Sequence, residues 1–201
     1  MATNHNSFSR RAVVAGLASL ITSSITKAVA SPDAGRPPLL QTTAAQFVEL
    51  WPAIQPPPLM LEHIDGKFVA LNMFRGKAVL MSFWATWCPP CRRELPLLET
   101  LQEIVDPRSL EIVAVSIDKE GRPAVEAFLK RVNVTRLRPY LDPQGHIAKH
   151  VEEEAASPFV LYGMPISYVV DHRGRVVGYI TGETDWTTDE GLALVRYYMG
   201  S

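Results

Sequence analysis

Cys88 and Cys91 are the chain's only two cysteines, and they stand at the spacing of a redox dithiol. An apolar run, Ala78-Val79-Leu80-Met81-Ser82-Phe83, leads into them. A helical pattern follows, marked by Leu95, Leu97, Leu98, Leu101, Ile104 and Val105. Cys88 therefore falls where a strand ends and a helix begins. The unpaired N–H groups and partial positive charge of a helix N-terminus favour an anion. A thiolate is such an anion, and it is the nucleophile of disulfide exchange. Cys91 lies one turn further into the helix. This spacing predicts an exposed attacking sulfur and a sheltered resolving one. A structural disulfide or half of a zinc site is the alternative. Structural zinc takes four ligands, however, and no second cysteine pair exists to complete a site.

The residues around the pair qualify this chemistry. Pro89 and Pro90 suit a first helical turn but carry no N–H. They deny a thiolate at Cys88 two backbone donors, which predicts a weaker oxidant than a strongly acidic CxxC. Glu94 stands three residues after Cys91, on a neighbouring face of the helix. By itself it reads as a glutamate on the solvent side. His146 and His150, followed by Glu152-Glu153-Glu154, have the spacing of a metal pair. A solvated helix face explains them better.

The elements that must position these residues alternate. Leu59 to Leu71 reads as a hairpin turning at Asp65-Gly66. Ala78 to Phe83 is apolar enough for a central strand covered on both sides. Pro90 to Val105 is a predicted helix, with Pro96 as a kink. Glu111 to Ser116 is a second buried strand, and Pro123 to Val132 a second helix. Leu137 to Leu141 is a third strand candidate. Asp142-Pro143-Gln144-Gly145 is a turn before a predicted short helix ending near Val151. Ile166 to Val170 and Val176 to Ile180 flank a hairpin turn at His172-Arg173-Gly174. Thr187 and Glu190 have the spacing of a capping box opening a final helix to Met199. This alternation implies an α/β layered fold.

Ahead of these elements, residues 1–30 hold Arg10, Arg11 and Lys27 and no acid. A serine before the paired arginines, a weak apolar stretch and Ala28-Val29-Ala30 have the form of a cleavable twin-arginine export signal. An uncleaved N-terminal membrane anchor is the alternative. Residues 31–58 are rich in proline and read as a linker, with a short helix expected between Thr43 and Trp51. Residues 59–201 form the expected domain. Of the 201 residues 47% are hydrophobic and 20% charged, with a formal net charge of −1. That balance leaves no footprint for nucleic acid or anionic lipid.

Phe83-Trp84-Ala85-x-Trp87-Cys88-x-x-Cys91 resembles the active site of the thioredoxin superfamily. The continuation Arg92-Arg93-Glu94-Leu95-Pro96-x-Leu98 is similar to the TlpA/ResA/CcmG type of periplasmic thiol–disulfide oxidoreductase. Leu71 to Lys77, Val113 to Asp118, Gly163-Met164-Pro165, Val169-Val170-Asp171 and Gly174 extend the resemblance over roughly Leu59 to Gly182. It implies a thioredoxin-like fold: a central mixed sheet, helices on both faces and an N-terminal β-hairpin extension. It makes Cys88 and Cys91 the catalytic pair. It also reverses the reading of Glu94, placing that carboxylate near the sulfurs as a proton carrier for Cys91. Pro165 would be the superfamily's cis-proline facing the CxxC, with Met164 pairing its backbone to an extended substrate. Trp84 belongs in the core and Trp87 on the rim, where it can touch a partner. Ser82 stands where thioredoxins hold a buried carboxylate, which gives Glu94 more weight. Asp118 matches the family without a role derivable from sequence.

The expected function is thus disulfide reduction in the periplasm, without cofactor or metal. Partners would be disulfide-bearing proteins, with apocytochrome c and copper-site proteins as candidates, and a membrane thiol–disulfide electron donor. The alternatives are a disulfide oxidant or isomerase, and a copper-binding chaperone. Peroxide reduction is disfavoured, because Ala85 occupies the position where a peroxidatic site wants threonine. The stretch from Glu152 to Met164 is expected to set partner choice, unless Phe159 and Leu161 merely fill the core.

Overall fold

The computed structural model describes residue 1 and residues 35–153, 157 and 159–200. The expected signal, residues 1–30, lies outside the described residues apart from Met1. Residues 36–201 form one compact unit.

In chain order the unit holds β1 (Val48–Ile54), β2 (Met60–His63), β3 (Phe68–Ala70), a 3-10 turn (Leu71–Phe74), β4 (Ala78–Trp84) and α1 (Pro89–Ile104). Then come β5 (Leu110–Ser116), α2 (Arg122–Arg131), β6 (Tyr140–Leu141), β7 (Lys149–His150), β8 (Val160–Leu161), β9 (Ile166–Val170), β10 (Val176–Thr181) and α3 (Asp189–Met199). Among the described residues, eight strands make one sheet in the order β1-β10-β9-β4-β5-β6-β2-β3. β4 runs parallel to β5 and antiparallel to β9, so the sheet is mixed.

Every residue of β4 is buried. Alternation along this strand divides the core in two. Leu80 and Ala78 join the buried side chains of α1, α2 and α3 in one cluster. Val79, Met81 and Phe83 join a second cluster with Leu71 of the 3-10 turn and Ile147, Phe159 and Leu161. Phe159 and Leu161 therefore fill the core beside the sheet. Tyr162 after them is exposed and stacks on Tyr179 at 5.2 Å. Glu154 lies outside the described residues.

Four local expectations need correction. The region read as a linker with a helix at Thr43 to Trp51 instead supplies β1, an edge strand paired with β10. Phe47 just before it is buried, and an added Cβ at Gly178 would come within 2.2 Å of its ring. Only glycine at 178 lets the two segments approach this closely. The domain thus begins before Leu59. Second, no helix follows Gly145. Asp142 accepts the N–H groups of His146 (2.6 Å), Ile147 (3.0 Å) and Ala148 (3.0 Å), which satisfies the turn locally. His150 then falls in β7, so His146 and His150 do not share a helix face. Third, the last helix is capped by Thr188, whose hydroxyl accepts the Gly191 N–H at 3.1 Å. Thr187 bonds Asp185 instead, so the predicted capping box does not form and Thr188 alone caps the helix. Fourth, the third strand is only two residues long.

Candidate active site

β4 ends at Trp84, and four residues later α1 opens on Cys88 as N-cap. Pro89 and Pro90 fill the first helical positions. The N–H of Cys91 is then the first in the helix, and it donates to Cys88 Sγ at 3.3 Å. The two cysteines form a disulfide. Cys88 is 3% exposed and Cys91 1%, so the expected contrast between an exposed and a sheltered sulfur is absent in this state. Both belong to the apolar cluster under α1, and Met164 packs against that cluster.

The loop before Cys88 is held from β5. Asp118, buried to 1% exposure, accepts the Thr86 N–H at 2.9 Å, the Thr86 hydroxyl at 2.6 Å and the Ser116 hydroxyl at 2.7 Å. Arg92 Nε returns to the Thr86 carbonyl at 2.7 Å. This gives Asp118 the role that its sequence position leaves open: it fixes the turn that presents Cys88. Replacing Asp118 with alanine removes the acceptor of three donors, the buried Ser116 hydroxyl and the half-buried N–H and hydroxyl of Thr86. A loss of about 2–4 kcal/mol is expected, measurable by urea unfolding of the oxidised protein, together with slower disulfide exchange.

Glu94 is 1% exposed and lies one turn beyond Cys91 on α1. The solvent-side reading is excluded. Loss of water on burial pushes its carboxyl up to about 8, aided by the nearby charge of Glu183. Three groups oppose that rise: the Trp186 indole, the Ser167 hydroxyl and the Thr184 backbone. Trp186 Nε1 donates to Oε1 at 3.3 Å, and the Ser167 hydroxyl reaches the same oxygen at 3.4 Å. Glu183 is itself paired with Arg93 Nε at 2.7 Å.

The Met164–Pro165 bond is cis. Pro165 immediately precedes Ile166, the register partner of Phe83, so it sits at the same end of the sheet as the cysteines. Its carbonyl accepts the Gly182 N–H at 2.7 Å. Trp84 is core, packed on Phe128 at 5.9 Å, and Trp87 is 58% exposed on the rim. Sequence reasoning missed Ser167, Trp186 and Glu183. No local signal links them to Glu94, because β9 and the segment before α3 bring them there from far along the chain. Among the described residues, no group of three or more His, Cys, Asp or Glu side chains is placed to hold a metal ion.

A dithiol couple at a strand–helix junction, on this sheet, defines a thiol–disulfide oxidoreductase with a thioredoxin-like fold. The chain belongs to the redoxin family, which matches residues 45–194. It is similar to the thiol–disulfide oxidoreductase ResA of Bacillus thuringiensis subsp. konkukian, at 31% identity over 127 residues, covering 63% of this chain and 68% of that one. ResA of Bacillus subtilis is 28% identical over 126 residues, covering 63% and 65%. Among solved structures, a thiol:disulfide interchange protein of the thioredoxin family from Chlorobium tepidum superposes with a TM-score of 0.54 at 25% identity, covering 74% of this chain and 97% of that one. StoA from Bacillus subtilis superposes at 0.51 with 22% identity, covering 73% and 98%, and speaks for the fold alone.

Proposed function

We propose that the protein is an exported reductant of disulfides in partner proteins. The observation that carries this reading is the first turn of α1, where Pro89 and Pro90 leave the Cys91 N–H as the donor for Cys88 Sγ. A thiolate with few donors is held less firmly, so the dithiol gives up its electrons more readily.

In the reaction, the Cys88 thiolate attacks one sulfur of the partner disulfide. That bond breaks, a mixed disulfide forms, and the released partner thiolate takes a proton. Cys91 then loses its proton to Glu94 and attacks Cys88. The partner leaves as a dithiol, and the disulfide seen here is the product. A carboxyl at about 8 is matched to a thiol near its ordinary range, which is what a proton carrier for Cys91 needs. Trp87, Met164 and Pro165 supply the partner surface, with the backbone at Met164 as a strand-like edge.

The basic start of the chain supports an extracytoplasmic setting. Residues 1–30 act in this reading as a twin-arginine-like export signal. Among the described residues, no helix is long and apolar enough to cross a membrane. A membrane thiol–disulfide carrier would return electrons to the pair. Apocytochrome c and copper-site cysteine pairs are the substrates to try first.

Equilibration with glutathione tests the direction. The expected potential lies nearer to about −270 mV than to about −120 mV. A value above roughly −170 mV would make the protein an oxidant.

A further inference from the structure

Glu94 is buried on both sides of the problem it poses: it needs water or donors to ionise, and a defined geometry to move one proton. Its two carboxyl oxygens are treated unequally. Oε1 faces the Trp186 indole N–H and the Ser167 hydroxyl. Oε2 has no hydrogen-bond partner among the described residues, although it is fully buried. An indole N–H donates and never accepts. With the indole N–H and the Ser167 hydroxyl both donating to Oε1, both lone pairs of that oxygen are taken, and the neutral carboxyl carries its proton on Oε2.

We propose that Trp186 and Ser167 are positioning residues for Glu94, holding Oε1 so that the proton is given and taken at Oε2. The inference rests on the reading of Glu94 as proton carrier and assigns the atom that does the work.

The clamp is anchored well away from the cysteines. Trp186 is fully buried. The first turn of α3 lies directly against its backbone, since a Cβ added at Gly191 would be 2.8 Å from Trp186 Cα. Thr184, two residues earlier and also buried, bonds the Gly182 carbonyl at 3.2 Å, and the Gly182 N–H reaches Pro165. Ser167 follows Pro165 by two residues on β9. It pairs across the sheet with Ser82 of β4, on the face covered by α1. One continuous stretch of packing thus joins the cis-proline, the carboxyl and the final helix. The charged and titratable neighbours are few: Cys91 and Arg93 on the same helix, and Glu183, paired with Arg93, on the segment before α3. Ser167 and Ser82 on the strands and Trp186 itself are neutral.

The test uses the full chain with Trp186→Phe and, separately, Ser167→Ala. The first keeps an aromatic ring in the slot and removes the N–H. The second removes one hydroxyl from a strand and serves if the first fails to fold. Two readouts are taken: the titration of the Glu94 carboxyl by carbon-13 NMR, and the pH profile of insulin reduction. Both donors favour the charged form, so losing either should move the titration upward by about half to one pH unit. The limb of the rate profile that needs ionised Glu94 should move with it. A variant that only loosens packing would lower the melting temperature and leave both midpoints in place. Unmoved Glu94 titrations in both variants overturn the positioning role. A shifted titration with an unshifted rate profile upholds the positioning and instead overturns Glu94 as the proton carrier.

Discussion

With serine in place of Cys91, the protein captures its partners and does not release them. Cys88 still attacks, the mixed disulfide forms, and no second sulfur arrives to resolve it. Turnover on a protein disulfide should fall by about three orders of magnitude or more, because a serine hydroxyl supplies no thiolate equivalent near neutral pH. Non-reducing gels should show adducts that dithiothreitol dissolves, and their identification names the physiological substrate. Cys88→Ser should give equal loss of turnover and no adducts. The asymmetry follows from position. Cys88 is the N-cap and receives the first helical N–H, whereas Cys91 lies within the helix. Adducts on Cys91 in the Cys88→Ser protein would reverse the two roles.

The second large effect concerns stability against pH. Glu94 in the folded protein holds its proton up to about 8, against 4.5 for an ordinary glutamate. Between those two values the folded state binds more protons than the unfolded one, so stability falls as pH rises through that window. Full stability from this group is present below the unfolded value, and it is lost as pH climbs past the folded one. Glu94→Gln removes the titration. Urea unfolding at pH 5, 7 and 9 should show wild type losing on the order of a few kcal/mol that the variant keeps. Parallel curves for the two proteins would mean that Glu94 is charged throughout, and its burial would then carry no linkage.

The path from sequence to site was uneven for physical reasons. The strand Ala78–Phe83, the cysteine pair and the helix after it were legible because they are contiguous, and their hydrophobic period is unambiguous. The thioredoxin-like fold followed from the same stretch. Glu94 was legible only through resemblance, since helix spacing alone cannot tell a glutamate under a sheet from one facing water. Its surroundings depend on Ser167 and Trp186, which only tertiary structure brings near. The stretch before Leu59 was misread because six of its residues are proline between Pro37 and Pro58, a composition that suits linkers. Proline is equally tolerated on an edge strand, and β1 is one, with Pro52 inside it. The segment after Gly145 was misread because a turn followed by polar residues resembles a helix start. The carboxylate of Asp142 accepts the N–H groups of His146, Ile147 and Ala148, so the turn is satisfied locally and β7 follows it.

The pairing of β1 with β10 also sets an order of events in the making of the protein. Val48 leaves the ribosome early, and its partner Tyr179 leaves near the end. The first strand to be synthesised is therefore among the last that can dock. Until then Phe47 has no Gly178 to close against. The cysteines are subject to no such delay, because only Pro89 and Pro90 separate them and β4, α1 and β5 adjoin one another in the chain. Trp186 arrives later than all of these. A nascent chain can thus own its sulfur couple before it owns the cradle of Glu94, and the tuned site is complete only when the C-terminal segment is in place.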